Sequence, residues 1–226
     1  MVDRAVRIGA GAAVLGALLA LVGNLVHPRA GDDPDFEVYR RFADSTRLRV
    51  ADLVLIVAMI LLAAGVVAIA RALDGTGGDA LSQYGRLFGA VGATIAIADF
   101  GVESFAYRTQ VDAFAQAGKA DLHGSFWAAN AVDHLDSGLF VTWTLLFLGI
   151  APLLLGIAAM RADRWPSWIG VLGAVGGAVC VVVASIMFVQ TDAASQDVAF
   201  LVGSLLVTAW FLAAGGWLWA NSDRDG

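Results

Sequence analysis

Two carboxylates, Asp99 and Glu103, lie at the end of an apolar stretch that reads ATIAIADFGVES over residues 93–104. Their spacing of four residues places both on one face of a helix. Asp99 follows Arg86 by 13 residues, so about 20 Å of helix would carry it into the outer half of a bilayer. A carboxylate at the bilayer centre costs about 2.5–3.5 kcal/mol. We therefore expect neighbouring helices to supply partners for Asp99, or its carboxyl group to keep a proton.

Other polar side chains collect at the same predicted depth, where several apolar stretches begin or end. His27 ends the first stretch, Asp52 opens the second, and the segment NAVDHLDSG opens the fourth. Gln190, Asp192 and Asp197 lie at the same end of the last two stretches. The candidate lining of a pocket is Asp99, Glu103, His134, Asp136, Ser137, His27 and Asp52.

Three interpretations of these residues stay open. In the first, they are helix-end residues in the headgroup layer, where an acid in the first turn is favoured by the helix dipole. In the second, they line an outward-facing pocket that binds or passes a proton, an ion or a small solute. The third is a metal site built from Asp99, Glu103, His134 and His27, since histidine and carboxylate bind zinc or iron.

No H-x-x-x-H or E-x-x-H motif supports the metal site. The leading hypothesis is therefore the pocket of a multi-pass membrane protein. A structural or partner-binding subunit without chemistry and a metal-dependent membrane enzyme remain the alternatives. We expect no cofactor other than a metal ion, and the balance is against an enzyme.

The composition indicates the class of protein that carries these residues. Of 226 residues, 59% are hydrophobic and 15% are charged, whereas about a quarter of the residues in a soluble domain are charged. The net charge of -6, without a basic cluster, excludes nucleic acid as a partner. Cys180 is the only cysteine, which excludes a disulfide framework. The chain is typical of polytopic membrane proteins.

Six apolar stretches are each long enough to cross a hydrocarbon core of about 30 Å, which takes about 20 helical residues. Backbone polar groups in lipid must be bonded within the segment, so each stretch is expected to be a helix. We predict an all-α integral membrane bundle of six transmembrane helices in one domain, with long external loops over residues 27–49 and 107–133. The predicted spans are residues 5–26, 50–72, 84–106, 134–160, 166–189 and 197–220.

The short loops favour one orientation. RALDGTGGDALSQYGR and MRADRWP are bracketed by arginines, whereas QTDAASQDV contains none. Because arginines in short loops stay inside, both termini are predicted to be cytoplasmic. The expected location is the cytoplasmic membrane, with the lipid bilayer as the main partner. A second copy of the chain or another membrane protein is left open as a further partner.

A faint internal repeat accompanies the spans. Gly89 and Gly173 are 84 residues apart, and so are Asp52 and Asp136. The spacing is consistent with three duplicated hairpins, as in transporters, or with unrelated helices rich in small residues. In both cases the small residues allow helix backbones to approach closely.

The stretch LFVTWTLLFLGIAPLLLGIAAMRADRWPSWIGVLGAVGGAV, residues 139–179, resembles a pattern in uncharacterised polytopic membrane proteins of actinobacteria and haloarchaea. In that pattern a helix rich in leucine and glycine ends in arginine, and a P-x-W-x-G loop starts the next helix. The resemblance implies a compact multi-helix membrane protein whose function is unknown. It supplies no activity and no site residues.

Overall fold

The computed structural model describes residues 4–28, 35–43, 45–190 and 195–221, and the side chains of residues 195–197 are left out of this description. Within these ranges the chain forms seven helices and no strand. Two of the helices contain a π-helical segment, Val102–Tyr107 in α4 and Thr144–Ile150 in α5. The helices are α1 Arg4–Val26, α2 Asp35–Phe42, α3 Thr46–Ala72, α4 Asp79–Gln116, α5 Leu122–Met160, α6 Ser167–Val189 and α7 Ser195–Asn221.

Six helices in the described part of the chain, all except α2, are long and apolar enough to cross a membrane. This confirms the predicted all-α bundle with six membrane-spanning helices. A lipid bilayer is therefore the environment of the protein. The cytoplasmic position of both termini and the choice of membrane stay predictions.

Helices α4 and α5 are much longer than the predicted spans. They contain 38 and 39 residues, and they occupy most of the segment predicted as a loop over residues 107–133. The extra turns are amphipathic, so hydropathy alone did not count them as membrane-spanning. They stay helical because they pack against α2, which lies within the other predicted loop.

The contact between α2 and these extra turns is a small aromatic core. Tyr39 of α2 packs edge-on against Tyr107 and Phe114 of α4, at centroid distances of 5.9 and 6.0 Å. Its hydroxyl group donates to Asp133 Oδ2 at 3.4 Å and accepts from Asn130 Nδ2 at 3.4 Å. Burial raises the pKa of Tyr39 to about 12. This core ties α2 to the ends of α4 and α5.

Small residues set the helix spacing in the membrane-spanning part. A Cβ atom added to Gly16 of α1 would lie 2.9 Å from the backbone nitrogen of Leu62 in α3. One added to Gly156 of α5 would overlap the backbone nitrogen of Ala174 in α6. Real Cβ atoms do not come so close to a backbone, so these helix pairs need glycine at their crossings.

Candidate functional site

A cavity of about 250 Å³ lies among α1, α3, α4, α5 and α7. It is at the end of the bundle where α1 ends and α3 begins, which we call the His27 end. Its wall reaches Ala17, ten residues before His27, so the cavity extends about 15 Å along α1. Its polar side chains are Asn24, His27, Asp99, Glu103, Asp136, Ser137, Ser204 and Thr208.

The rest of the lining is apolar and rich in aromatic rings. It includes Phe100 of α4, Phe140 and Trp143 of α5, and Phe200 and Phe211 of α7. Leucine side chains from α3 and α5 line it as well. The cavity therefore combines a few ionisable groups with aromatic and aliphatic walls, as small-molecule sites commonly do.

Asp99 is the most deeply buried acid that lines the cavity, with an exposed fraction of 3%. Its Oδ2 accepts a hydrogen bond of 2.7 Å from Trp143 Nε1. The carboxyl group of Asp136 lies within hydrogen-bonding reach of Asp99. Oδ1 of each aspartate receives no hydrogen bond from the described residues. Asp99 and Asp136 thus lie next to each other in the cavity wall, and each has one carboxyl oxygen that makes no hydrogen bond to the described residues.

His27 joins a second group of acids at the same end. Its Nε2 lies 3.1 Å from Glu103 Oε1 and 3.4 Å from Asp52 Oδ1, so α1, α3 and α4 meet at this imidazole. Its Nδ1 lies 2.9 Å from the carbonyl oxygen of Pro28. Burial alone lowers the pKa of His27, but the neighbouring carboxyl groups of Asp52 and Glu103 raise it to about 10. The ring therefore holds a proton between the two acids at neutral pH.

Asp52 is held rigidly behind the imidazole. Its side chain is fully buried, and its Oδ2 accepts a hydrogen bond of 2.7 Å from Ser104 Oγ. Ser104 and Glu103 lie in the π-helical segment of α4, where the backbone leaves the regular α-helical register. Such segments occur frequently at functional sites. Here the segment carries both the serine that contacts Asp52 and the glutamate that contacts His27.

The structure places most of the predicted residues at one site. Asp99, Glu103, Asp136, Ser137 and His27 line the cavity. Asp52 contacts His27 from behind the wall.

His134 lies apart from this group: it is exposed, and it is not part of the cavity wall. It is two residues from Asp136, which is about 200° around a helix, so the two side chains leave opposite faces. Two of the four predicted metal ligands, His27 and Glu103, lie together. The third residue of their group is Asp52, and Asp99 and His134 are not part of it. Asp192 and the side chain of Asp197 lie outside the described residues.

Sequence reasoning missed two hydrogen-bond donors, Trp143 and Ser104. A signal for Trp143 was present, because it follows Asp136 by seven residues and so shares its helix face. Ser104 had no comparable signal, since its contact with Asp52 depends on the π-helical segment.

Comparison with known proteins identifies a family to which no activity is assigned. No curated protein and no solved structure is significantly similar to the chain. A family model described as Domain of unknown function (DUF4386) matches residues 9–219, which include nearly all of the membrane-spanning bundle. The resemblance to an uncharacterised family is thereby confirmed. The chain belongs to the DUF4386 family, a domain of unknown function.

Proposed function

We propose that this membrane protein binds a small cationic solute in the cavity at the His27 end. The observation that carries the proposal is Asp99, a 3% exposed acid whose Oδ1 receives no hydrogen bond from the described residues and which lines the cavity. An acceptor that has lost its water and gained no donor costs free energy. A cationic ligand that reaches the Asp99 carboxyl group from the cavity would supply a donor.

The charges of the lining favour a cation over an anion. Asp99, Glu103 and Asp136 line the cavity, and His27 is the one basic side chain in the described lining. Its interactions are with Glu103 and Asp52, so Asp99 and Asp136 have no basic side chain beside them in the described lining. An anion in the same place would meet acidic acceptor groups and no free basic side chain of the described lining.

The size and the walls favour an organic ammonium compound. A cavity of about 250 Å³ is close to the lower end of the range of about 300–1,000 Å³ that small-molecule sites have. The rings of Phe100, Phe140 and Trp143 stand beside the acids in the lining. Ammonium groups bind to the faces of such rings as well as to carboxylates. An inorganic ion would make no favourable contact with these apolar walls.

The test is binding of ammonium compounds to the purified protein in nanodiscs, followed by calorimetry. Propylammonium is the probe, because its N–H groups can donate to Asp99, and 1-propanol is the neutral compound of similar size. We expect an ammonium probe to bind and the neutral alcohol to bind at least tenfold more weakly. We also expect Asp99→Asn to weaken ammonium binding at least tenfold.

Asp74→Asn is the matched control, since Asp74 is exposed in the turn between α3 and α4, at the opposite end of the bundle. Its ammonium affinity should equal that of the wild type. Absence of ammonium binding in the wild type, or equal binding by Asp99→Asn, would contradict the proposal and favour a structural subunit. Uptake of the bound probe into proteoliposomes then distinguishes a transporter from a binding protein.

A further inference from the structure

We propose that His27, Asp52 and Glu103 form a binding site for one divalent transition-metal ion, next to Asp99 in the wall of the same cavity. One ligand atom from each residue lies within 4.8 Å of the other two. The three residues come from the end of α1, from α3 and from α4, so an ion here would join three helices. Neither the family description nor the proposed solute site assigns this role.

The distances between the ligand atoms fit a transition-metal ion. Two ligands bound at about 2.0–2.1 Å in a tetrahedral site are about 3.3–3.4 Å apart. Nε2 of His27 lies 3.1 Å from Glu103 Oε1 and 3.4 Å from Asp52 Oδ1. The ligand atoms of the third pair, Asp52 and Glu103, lie within 4.8 Å of each other, so side-chain movements would bring all three onto one ion.

Hydrogen bonds around the group orient the ligand atoms. Nδ1 of His27 lies 2.9 Å from the Pro28 carbonyl oxygen and can donate to it, which leaves Nε2 as the atom that faces the acids. Ser104 Oγ holds Asp52 Oδ2 at 2.7 Å, which turns Oδ1 toward the imidazole. A histidine and a carboxylate fixed in this way by outer hydrogen bonds are typical of metal sites.

Asp52 gives an independent reason to expect a ligand. It is fully buried, and its Oδ1 receives no hydrogen bond from the described residues. That oxygen lies 3.4 Å from His27 Nε2, on the side of the group where Glu103 also contacts the imidazole. A positive ion bound by all three residues would contact an acceptor that makes no hydrogen bond to the described residues.

A divalent ion would also neutralise the group. Two carboxylates, a neutral imidazole and a divalent ion carry no net charge, and a neutral group is less costly to bury.

The donor set limits the kind of metal. One imidazole nitrogen and two carboxylate oxygens suit Zn²⁺, Mn²⁺ or Fe²⁺. Ca²⁺ takes six to eight oxygen ligands and does not need an imidazole. His27 and Glu103 line the cavity, so the remaining coordination position of the ion would face water or a solute there.

Titration of the metal-free protein in detergent with Co²⁺ and with Zn²⁺ tests the site. We expect one ion per chain, visible in the Co²⁺ absorption bands and by calorimetry, and at least tenfold weaker binding for His27→Gln. His134→Gln and His123→Gln are the matched controls, since both histidines are exposed. X-ray absorption of the Co²⁺ complex should show a histidine nitrogen among the ligands of the wild type and none in His27→Gln.

Glu103→Gln provides a second variant at a partly exposed ligand, and its melting temperature without metal shows whether it folds. We expect at least tenfold weaker binding from the folded variant. Absence of stoichiometric binding in the wild type, or full affinity in folded His27→Gln, would overturn the site. Asp99→Asn should bind metal like the wild type, so the metal site and the solute site can fail independently.

Discussion

Gly92→Ala tests how the helix spacing positions the acids of the cavity. A Cβ atom on Gly92 of α4 would lie 2.7 Å from the backbone nitrogen of Phe147 and 2.8 Å from its Cβ in α5. Ordinary van der Waals contacts begin near 3.4 Å, so α4 and α5 must separate by about 0.5–1 Å. Asp99 lies two helical turns beyond Gly92 on the same face and moves with it.

The separation acts on the hydrogen bond from Trp143 Nε1 to Asp99 Oδ2. This bond measures 2.7 Å, and it would lengthen past the usual limit of about 3.2 Å. Overpacking costs about 1–3 kcal/mol, and a lost hydrogen bond between membrane helices costs about 0.6 kcal/mol, at most about 1.7. The gain in helix propensity from glycine to alanine, about 1 kcal/mol, offsets part of this. We expect a net loss of about 1–3 kcal/mol.

The assay is the free energy of unfolding from SDS titration in mixed micelles. Gly101→Ala is the matched control, because Gly101 is in the same helix and a Cβ there would meet nothing within 4 Å. It should be neutral or stabilising by up to about 1 kcal/mol. Because the propensity gain cancels between the two variants, Gly92→Ala should be less stable than Gly101→Ala by about 2–4 kcal/mol. Equal stabilities would refute the close approach of α4 and α5.

Two further predictions use the same preparation. Trp143→Phe removes the donor to Asp99 and keeps an aromatic ring, so it should cost about 0.6–1.7 kcal/mol of unfolding free energy in the SDS titration. Trp168→Phe changes an exposed ring and should cost less. Equal losses in the two variants would contradict the hydrogen bond. Cys180 is fully buried and should react with maleimide only after the protein unfolds in SDS. A cysteine added in the exposed turn between α3 and α4 (Asp74→Cys) should react in the folded protein. Labelling of folded wild-type protein would contradict the packing of α6.

The arrangement of the site explains why sequence analysis found its members and not their contacts. Asp99 stood out because an acid inside an apolar stretch is costly wherever the neighbouring helices lie. Asp136 and Ser137 followed from their predicted depth. His134, from the same segment, was placed with them because depth does not specify the helix face, and in the structure it is exposed on α5.

The group formed by His27, Asp52 and Glu103 could not be paired from sequence. Its members are separated by 25 and 51 positions along the chain, and no short spacing links them. Their contacts depend on the packing of α1 against α3 and on the π-helical segment of α4. Neither feature leaves a periodic signal in the residues.

The sequence by itself determined six membrane-spanning helices, because hydropathy over about 20 residues is a local property and lipid forces each such segment to bond its own backbone. It also predicted that the acids lie toward one end of the helices, since rise per residue along a helix is fixed. Only the tertiary structure decided which acids face one another and which histidine joins them. Those choices depend on helix rotation and separation, which are set by glycine contacts between residues far apart in the chain.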